Sequence, residues 1–167
     1  MPKDFEIERK YLMRVNPFRF DYDELLEIHQ CYLPRDKEGF TVRYRATAND
    51  GVATYHKTRK KRMSDMSCTE IEHEVTKPEY DRAEEQSLKS LVKLRYKKKI
   101  GDLTWEIDDF LTTRMMIAEV ELPSEDHEFD IPKDVEVCTL MEVTGMDEFY
   151  NENLAITDEV AATQIRV

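Results

Sequence analysis

The sequence predicts an α+β protein in which about eight short strands form an antiparallel sheet or closed barrel, with helices packed on it. Many segments alternate polar and apolar residues, which is typical of strands. Turn signals join neighbouring segments, and one stretch in the middle of the chain has helical periodicity. With 167 residues and only 4 glycines, the chain is long enough for one domain and has no low-complexity linker.

The first predicted strand is FEIERKYLM, Phe5–Met13. Glu6, Glu8 and Lys10 recur in it at every second position, so one face is charged while the other is partly apolar. In most globular proteins such a face would contact solvent. Whether it does so here depends on the strands that follow.

Helices are predicted in three segments of the chain. DYDELLEIHQ, Asp21–Gln30, predicts a short helix with an aspartate available as its N-cap. EYDRAEEQSLKSL, Glu79–Leu91, predicts the main helix directly after Pro78. A final helix is expected around residues 146–154.

The remaining segments read as short strands joined by hairpins. NDG at 49–51 and KIGDL at 99–103 are turn signals between neighbouring strands, which favours antiparallel pairing. The predicted strands after the first are QCYLP, TVRYRAT, VATYHKTR, TEIEHEV, VKLRYKKK, TWEIDDF and MIAEVEL.

Most of these strands carry like charges two residues apart on one face. The first, fifth, seventh and eighth strands are acidic, with Glu6, Glu8, Glu70, Glu72, Glu74, Glu106, Asp108, Glu119 and Glu121. The third, fourth and sixth are basic, with Arg43, Arg45, Lys57, Arg59, Lys93, Arg95 and Lys97. Like charges about 7 Å apart repel, and solvent-exposed faces usually mix their signs. The sorting therefore favours two opposed charged walls over a series of solvated faces.

Charged side chains that face the inside of a barrel would require partners of opposite charge. A barrel of about eight strands is wide enough for a small ligand. Buried charges are costly without partners, and a polyanion together with divalent cations would supply them. Mg²⁺ prefers oxygen ligands and phosphates, which suits clustered Glu and Asp. The pattern therefore predicts a polyanion held by basic residues and hard cations held by carboxylates.

Composition argues against several other partners. The net charge of −11, from 25 Lys+Arg and 36 Asp+Glu, disfavours nucleic acid and anionic membranes. Cys31, Cys68 and Cys138 form no paired motif, which is typical of a reducing compartment. MPKDFEIERK has no apolar signal core, and no run reaches transmembrane length. We expect a cytoplasmic protein.

EIERK resembles the ExExK signature of the CYTH superfamily, the triphosphate tunnel metalloenzymes. An ordered set of further motifs carries the resemblance: RYR, YHKTR, EIEHE, KLRY, EIDDF, AEVEL and EVTG…FYNENLA. The match runs from about Phe5 to Ala155, so we expect one CYTH-like domain over residues 1–155 and a C-terminal tail over residues 156–167. The chain departs from the family pattern at Cys68, where a basic residue is common.

The resemblance implies an eight-stranded antiparallel tunnel with a charged lumen, which binds a triphosphate and cleaves it with Mg²⁺ or Mn²⁺. The implied metal ligands are Glu6, Glu8, Asp108, Glu119 and Glu121. The implied phosphate-binding residues are Lys10, Arg43, Arg45, Lys57, Arg59, Lys93 and Arg95. Lys10 would also act in catalysis. Glu70 and Glu72 would orient the basic residues or assist the attacking water.

The similarity is to short, single-domain members, which favours an inorganic triphosphatase that splits tripolyphosphate into pyrophosphate and phosphate. Thiamine triphosphate or a nucleoside triphosphate are alternative substrates on the same fold. Class IV adenylyl cyclases are a weaker match, because they tend to carry a His-Phe pair before ExExK and only Phe5 is present here. A non-catalytic module that binds triphosphate or polyphosphate would be expected to lack metal carboxylates. A homodimer is compatible with the sequence.

Overall fold

The computed structural model describes residues 5–157. Strands make up most of it, with three short α-helices and a 3-10 helix at Asp147–Phe149. The α-helices are α1 (Lys77–Glu85), α2 (Lys133–Cys138) and α3 (Asn151–Leu154). The strands are β1 (Phe5–Met13), β2 (Glu24–Leu33), β3 (Thr41–Asn49), β4 (Val52–Arg62), β5 (Ser67–Glu74), β6 (Lys89–Ile100), β7 (Leu103–Phe110), β8 (Met115–Glu121) and β9 (Thr139–Glu142).

Strands β1 to β8 close into an antiparallel barrel. The order around the wall is β5, β4, β3, β2, β6, β7, β8, β1, and β1 pairs with β5 to complete the ring. Residues Phe5–Ile7 of β1 make that closing contact, whereas the later part of the same strand edge pairs with β9 outside the ring. The predicted eight-stranded antiparallel barrel is therefore confirmed.

The turn between β3 and β4 sets the register of this hairpin. Asn49 lies opposite Val52, and the two residues between them have φ values of 49° at Asp50 and 81° at Gly51. Such a left-handed pair is the geometry that Asn-Gly and Asp-Gly loops favour. The hairpin predicted from NDG is present.

The prediction of a first helix over Asp21–Gln30 is wrong, because β2 occupies residues Glu24–Leu33. In the barrel, β2 lies between β3 and β6 and has buried residues on both faces. Ile28 points into the barrel, and Cys31 packs against the helix outside. A strand covered on both faces loses the alternation that separates it from a helix.

The other two helix predictions are correct in place but too long. Helix α1 begins after Thr76, whose side chain accepts a hydrogen bond from the Glu79 backbone N–H at 3.3 Å. It ends at Glu85, because β6 takes over from Lys89. Near the C-terminus the predicted helix divides into the 3-10 helix and α3, with extended backbone at Tyr150 between them.

Apolar side chains pack mainly on the outside of the barrel wall. One cluster, which includes Tyr11 and Trp105, is covered by the segment before and including α2. A second cluster packs α1 against β2 and β3. A third, with Leu91, Phe110 and Ile117, fills the barrel interior at one end, where Leu154 and Ala155 cover it. The rest of the interior is left to polar and charged side chains.

Of the predicted tail, residues 156–167, only Ile156 and Thr157 lie within the described residues, and Ile156 pairs with Ser90 on β6. None of the helices within residues 5–157 is long and apolar enough to cross a membrane.

Candidate active site

The lumen of the barrel is divided by charge. Four adjacent strands, β5, β1, β8 and β7, carry the lumen-facing carboxylates Glu6, Glu8, Glu70, Glu72, Glu106, Asp108, Glu119 and Glu121, here called the acidic arc. The other four strands, β6, β2, β3 and β4, carry Lys93, Arg95, Gln30, Tyr32, Arg43, Arg45 and Lys60, here called the basic arc. The two opposed walls predicted from parity are present.

A cavity of about 430 Å³ lies between the two arcs. Most of the predicted site residues line it: Glu6, Glu8, Lys10, Arg43, Arg45, Glu70, Lys93, Arg95, Glu119 and Glu121. Glu72 lines an adjoining opening together with Glu70 and His56. The predicted residues Lys57, Arg59 and Asp108 line neither.

Lys57 and Arg59 lie on the outer face of β4, so their predicted phosphate contacts are wrong. The ammonium of Lys57 is 5.7 Å from the centre of the Tyr44 ring, outside the wall. Arg59 Nε donates to Asp36 Oδ2 at 2.7 Å. Because β3 and β4 pair Arg43 with Thr58, the even-numbered residues of β4 face inward.

Lys60 of β4 lines the cavity, in place of the predicted Lys57 and Arg59. Its ammonium nitrogen lies 2.7 Å from Glu6 Oε2 and 3.4 Å from Glu70 Oε2. Cys68, directly opposite Glu6 on β5, donates its Sγ–H to the same Glu6 oxygen at 3.4 Å. Burial alone would raise the pKa of Glu6, but the charge of Lys60 outweighs it and holds that pKa well below the usual value. Lys60 thus supplies positive charge beside the position where Cys68 stands.

Asp108 supports the basic arc from behind the cavity. It is fully buried, and its Oδ2 accepts from Lys93 Nζ at 2.7 Å while Oδ1 accepts from Arg95 Nε at 2.7 Å. Burial favours the neutral acid, yet Arg95 and Lys93 together hold the pKa of Asp108 well below its usual range. Both oxygens are therefore engaged by cations, which disagrees with the predicted role as a metal ligand. Asp108 positions Lys93 and Arg95.

Within the described strands of the acidic arc, Lys10 is the one lumen-facing cation. It is 5% exposed, and its ammonium lies 3.4 Å from Glu8 Oε1 and 3.5 Å from Glu119 Oε1. Burial would lower its pKa, but Glu119 and Glu8 raise it above the ordinary value. Lys10 therefore stays charged beside the cavity.

Lys10 does not fully offset the burial and negative charge around Glu8. Burial and the nearby Glu119 carboxylate raise the pKa of Glu8 to about 8, although Lys10 opposes the shift. Glu8 lies directly opposite Glu121 in the β1–β8 register, so a third carboxylate is close. Crowded carboxylates of this kind are relieved by a bound cation.

The basic arc has the converse imbalance. Burial and the neighbouring Arg43 lower the pKa of Arg45 to about 10. Glu72 offers one counter-charge, since it accepts from Arg45 Nη2 at 3.2 Å and from Thr58 Oγ1 at 2.6 Å. Among residues 5–157, the buried Nε atoms of Arg43 and Arg45 have no hydrogen-bond partner. Donors left in this way favour an anionic ligand.

Comparison with known proteins agrees with this geometry. No family model matches the chain. An inorganic triphosphatase from Acetivibrio thermocellus is 32% identical over 153 residues, which cover 89% of this chain and 92% of that relative. The chain belongs to the CYTH superfamily.

Solved structures share the CYTH barrel. The crystal structure of the inorganic triphosphatase NE1496 matches with a TM-score of 0.60 at 26% identity, covering 91% of this chain and 95% of that one. The PH1819 protein from Pyrococcus horikoshii OT3 matches with a TM-score of 0.56 at 24% identity, covering 79% and 85% of the two chains. The second likeness concerns the fold alone.

The carboxylates of this CYTH protein fit a hard divalent cation. Ligand atoms of Glu6, Cys68 and Glu70 all lie within 4.8 Å of one another. Glu8, Glu119 and Glu121 line the same cavity from the neighbouring strands. The donor set is mostly carboxylate oxygen, which suits Mg²⁺ and Mn²⁺ better than softer metals. Glu8, whose pKa burial and the Glu119 carboxylate raise, is one of these carboxylates.

Two groups of residues that line the cavity of the CYTH site were not predicted from the sequence. Lys60 could have been found from the NDG turn, because a two-residue loop with Asn49 opposite Val52 places Thr58 and Lys60 on the face of Arg43. The second group lies near the C-terminus, where Tyr150, Asn151 and Glu152 line the cavity. These residues belong to the FYNENLA motif, which indicated the family but not their position.

Proposed function

We propose that this CYTH protein is a divalent-metal-dependent inorganic triphosphatase that cleaves tripolyphosphate into pyrophosphate and phosphate. The two relatives named inorganic triphosphatase support hydrolysis of a triphosphate. The chemistry of the lumen supports the finer assignment of substrate and cofactor.

One observation carries the proposal: each arc holds charged groups that the protein's own side chains leave incompletely paired. The pKa of Glu8 is raised to about 8 on one side, and the Nε donors of Arg43 and Arg45 lack partners within the described chain on the other. A triphosphate complexed with divalent cations presents negative charge to the basic arc and positive charge to the acidic arc. It therefore satisfies both arcs at once.

The basic arc would bind and orient the phosphates. Arg43 and Arg45 can each donate paired hydrogen bonds to phosphate oxygens. Lys93 and Arg95 are fixed by Asp108 before any ligand arrives. Donors that are already positioned stabilise the charge that develops during phosphoryl transfer without further reorganisation.

Water would attack the terminal phosphorus, and the bond to the bridging oxygen would break to release pyrophosphate. Glu70, whose pKa is raised chiefly by burial, is suited to accept the proton of that water. Glu72 has a different role, because its oxygens already bind Thr58 and Arg45. It orients the arginines.

A cation would be held by carboxylates among Glu6, Glu8, Glu119 and Glu121. When bound, Mg²⁺ or Mn²⁺ neutralises phosphate charge and orients the phosphate chain. Lys10 stands between Glu8 and Glu119, where it contributes a fixed positive charge.

The aromatic residues favour an inorganic substrate over one with an organic ring. Trp105 is 1% exposed and packs outside the barrel, away from the lumen. Of the aromatic side chains that line the cavity in residues 5–157, Tyr32 is buried beside Gln30, and cations occupy the neighbourhood of Tyr150. The Tyr150 ring centre lies 5.1 Å from the Lys10 ammonium and 4.9 Å from the Arg62 guanidinium. Stacking surface for adenine or thiazole is therefore scarce.

Phosphate release from tripolyphosphate, thiamine triphosphate and ATP tests the proposal, each measured with Mg²⁺, with Mn²⁺ and with EDTA. We expect tripolyphosphate to give the highest kcat/KM and EDTA to abolish turnover. Comparable turnover of all three substrates would contradict the substrate assignment. Cyclic AMP formation from ATP would instead identify a cyclase, and full activity in EDTA would contradict the metal requirement.

A further inference from the structure

Asn151 contacts the basic arc from outside the barrel strands. Its Oδ1 accepts a hydrogen bond from Lys93 Nζ at 2.9 Å. Lys93 is 1% exposed, and Asp108 Oδ2 accepts a second hydrogen bond from the same ammonium at 2.7 Å. Both acceptors follow β6 in the sequence, Asp108 on the next strand and Asn151 near the C-terminus, so the chain folds back to enclose this lysine.

Helix α3 holds Asn151 firmly in this position. Leu154 and Ala155 are 6% and 7% exposed and pack on the apolar cluster inside the barrel. Beyond the helix, Ile156 and Ser90 exchange backbone hydrogen bonds of 3.0 and 2.9 Å. Within the helix, Glu152 accepts a hydrogen bond from Thr41 Oγ1 at 3.1 Å. Three independent contacts therefore fix the short helix on the end of the barrel.

An ammonium group has three N–H bonds in a fixed tetrahedral arrangement. With one directed at Asp108 and one at Asn151, the direction of the third is determined. Lys93 and Asn151 both line the cavity, so this third donor is available to a ligand there. Asp108 alone could not fix the direction, because a single hydrogen bond leaves the ammonium free to rotate about the axis of that bond.

We propose that Asn151 is a positioning residue for catalysis, which aims the Lys93 ammonium at the phosphate that reacts. This inference rests on the proposed triphosphatase function. Asn151 itself need not touch the substrate. Its loss would leave Lys93 buried but free to rotate about its contact with Asp108, so substrate would still be captured by the arginines while the reactive step slowed.

The test compares Asn151→Ala with Asn49→Ala in tripolyphosphate hydrolysis with Mg²⁺. Asn49 is a control of the same residue type, because it is exposed at the end of β3, does not line the cavity, and donates its Nδ2–H to Glu24 Oε1 at 3.3 Å. We expect Asn151→Ala to lower kcat about tenfold with KM changed less than about twofold. Asn49→Ala should leave both constants near wild type. Asn151→Asp keeps the acceptor and should restore most of kcat.

A second measurement does not depend on turnover. The rate at which acetic anhydride modifies Lys93, followed by mass spectrometry, should rise in Asn151→Ala and stay unchanged in Asn49→Ala. Equal kcat values for wild type and Asn151→Ala, or equal losses in both alanine variants, would overturn the positioning role. If Asn151→Ala does not fold, as judged by thermal unfolding, Asn151→Ser serves in its place, because its hydroxyl is too short to span the distance. Absence of turnover by the wild type with every triphosphate would contradict the proposed function, while the acetylation rates would still decide the contact.

Discussion

The acidic and basic arcs are the two halves of one antiparallel barrel, but their buried charges are compensated differently. The basic side chains are held by carboxylates of the neighbouring strands, since Asp108 binds Lys93 and Arg95 and Glu72 binds Arg45. Within the described strands of the acidic arc, Lys10 is the one lumen-facing cation, and the pKa of Glu8 rises to about 8. The difference indicates that the basic arc is prepared in advance for its ligand, whereas the acidic arc depends on a cation that comes from solution.

The largest effect should follow from loss of a carboxylate in the acidic arc. Glu8→Gln removes a ligand charge next to Glu119 and Glu121, and we expect kcat with Mg²⁺ to fall about 10³-fold. Glu27→Gln is the control, because Glu27 is on β2 with its side chain 57% exposed and contacts His29. Steady-state kinetics over a range of Mg²⁺ concentrations measures the effect. Near-native turnover by Glu8→Gln would remove the acidic arc from the site.

Replacing Asp108 tests whether this carboxylate holds Lys93 and Arg95 of the basic arc in position. Asp108→Ala leaves Lys93 and Arg95 buried without their carboxylate, and we expect a loss of about 3–5 kcal/mol in the free energy of unfolding. Asp109→Ala changes the neighbouring residue on the opposite face of β7 and should cost less than about 1 kcal/mol. Urea unfolding followed by circular dichroism gives both values. Similar losses for the two variants would show that Asp108 has no special part in holding the cations.

A smaller effect separates the inner and outer faces of the basic arc. Arg43→Ala removes a lumen-facing guanidinium, and we expect kcat/KM for tripolyphosphate to fall about 10²-fold, mainly through KM. Arg59→Ala removes an equal charge from the outer face, where Arg59 binds Asp36. Its kcat/KM should stay within about twofold of wild type. A large loss of activity in Arg59→Ala would contradict the register that places it outside.

The β4 register shows what the sequence could and could not reveal about the site. Like charges at alternate positions correctly indicated the inner faces of β3, β6 and β8. On β4, cations stand at both parities, so charge alone could not choose between Lys57 and Lys60. The outer cations find partners in Asp36 and Phe40, which are distant contacts that no local pattern predicts. The NDG turn would have fixed the register.

The incorrect helix prediction at β2 and the different role of Asp108 also have physical causes. β2 has buried residues on both faces, so its run of apolar residues resembled a helix until the neighbouring strands were known. Asp108 stands in the motif EIDDF at a position that faces the lumen, as predicted. Its role depends on Lys93 and Arg95 of the neighbouring strand β6, which both donate hydrogen bonds to it. The sequence of a single strand does not show which side chains of the next strand it will contact.

The smallest effect concerns the stability of the acidic arc without a cation. Because the pKa of Glu8 in the folded protein is raised to about 8 from the usual 4.5, the folded state keeps a proton that the unfolded chain releases over that interval. The free energy of unfolding therefore falls as pH rises from about 4.5 to 8, and the penalty is constant above it. Glu8→Gln removes this penalty, so in EDTA at pH 8.5 we expect the variant to be more stable than wild type by about 1–2 kcal/mol.

Below pH 4.5 the advantage of Glu8→Gln should vanish, because Glu8 is then protonated in both states. Urea titrations at several pH values measure the difference. Adding Mg²⁺ at pH 8.5 should raise the stability of wild type more than that of the variant, since a cation that binds only the folded state stabilises it. A variant less stable than wild type at every pH would mean that Lys10 and Lys60 already balance the acidic arc. The contrast between the two arcs would then be one of position alone, with no unmet need for a cation.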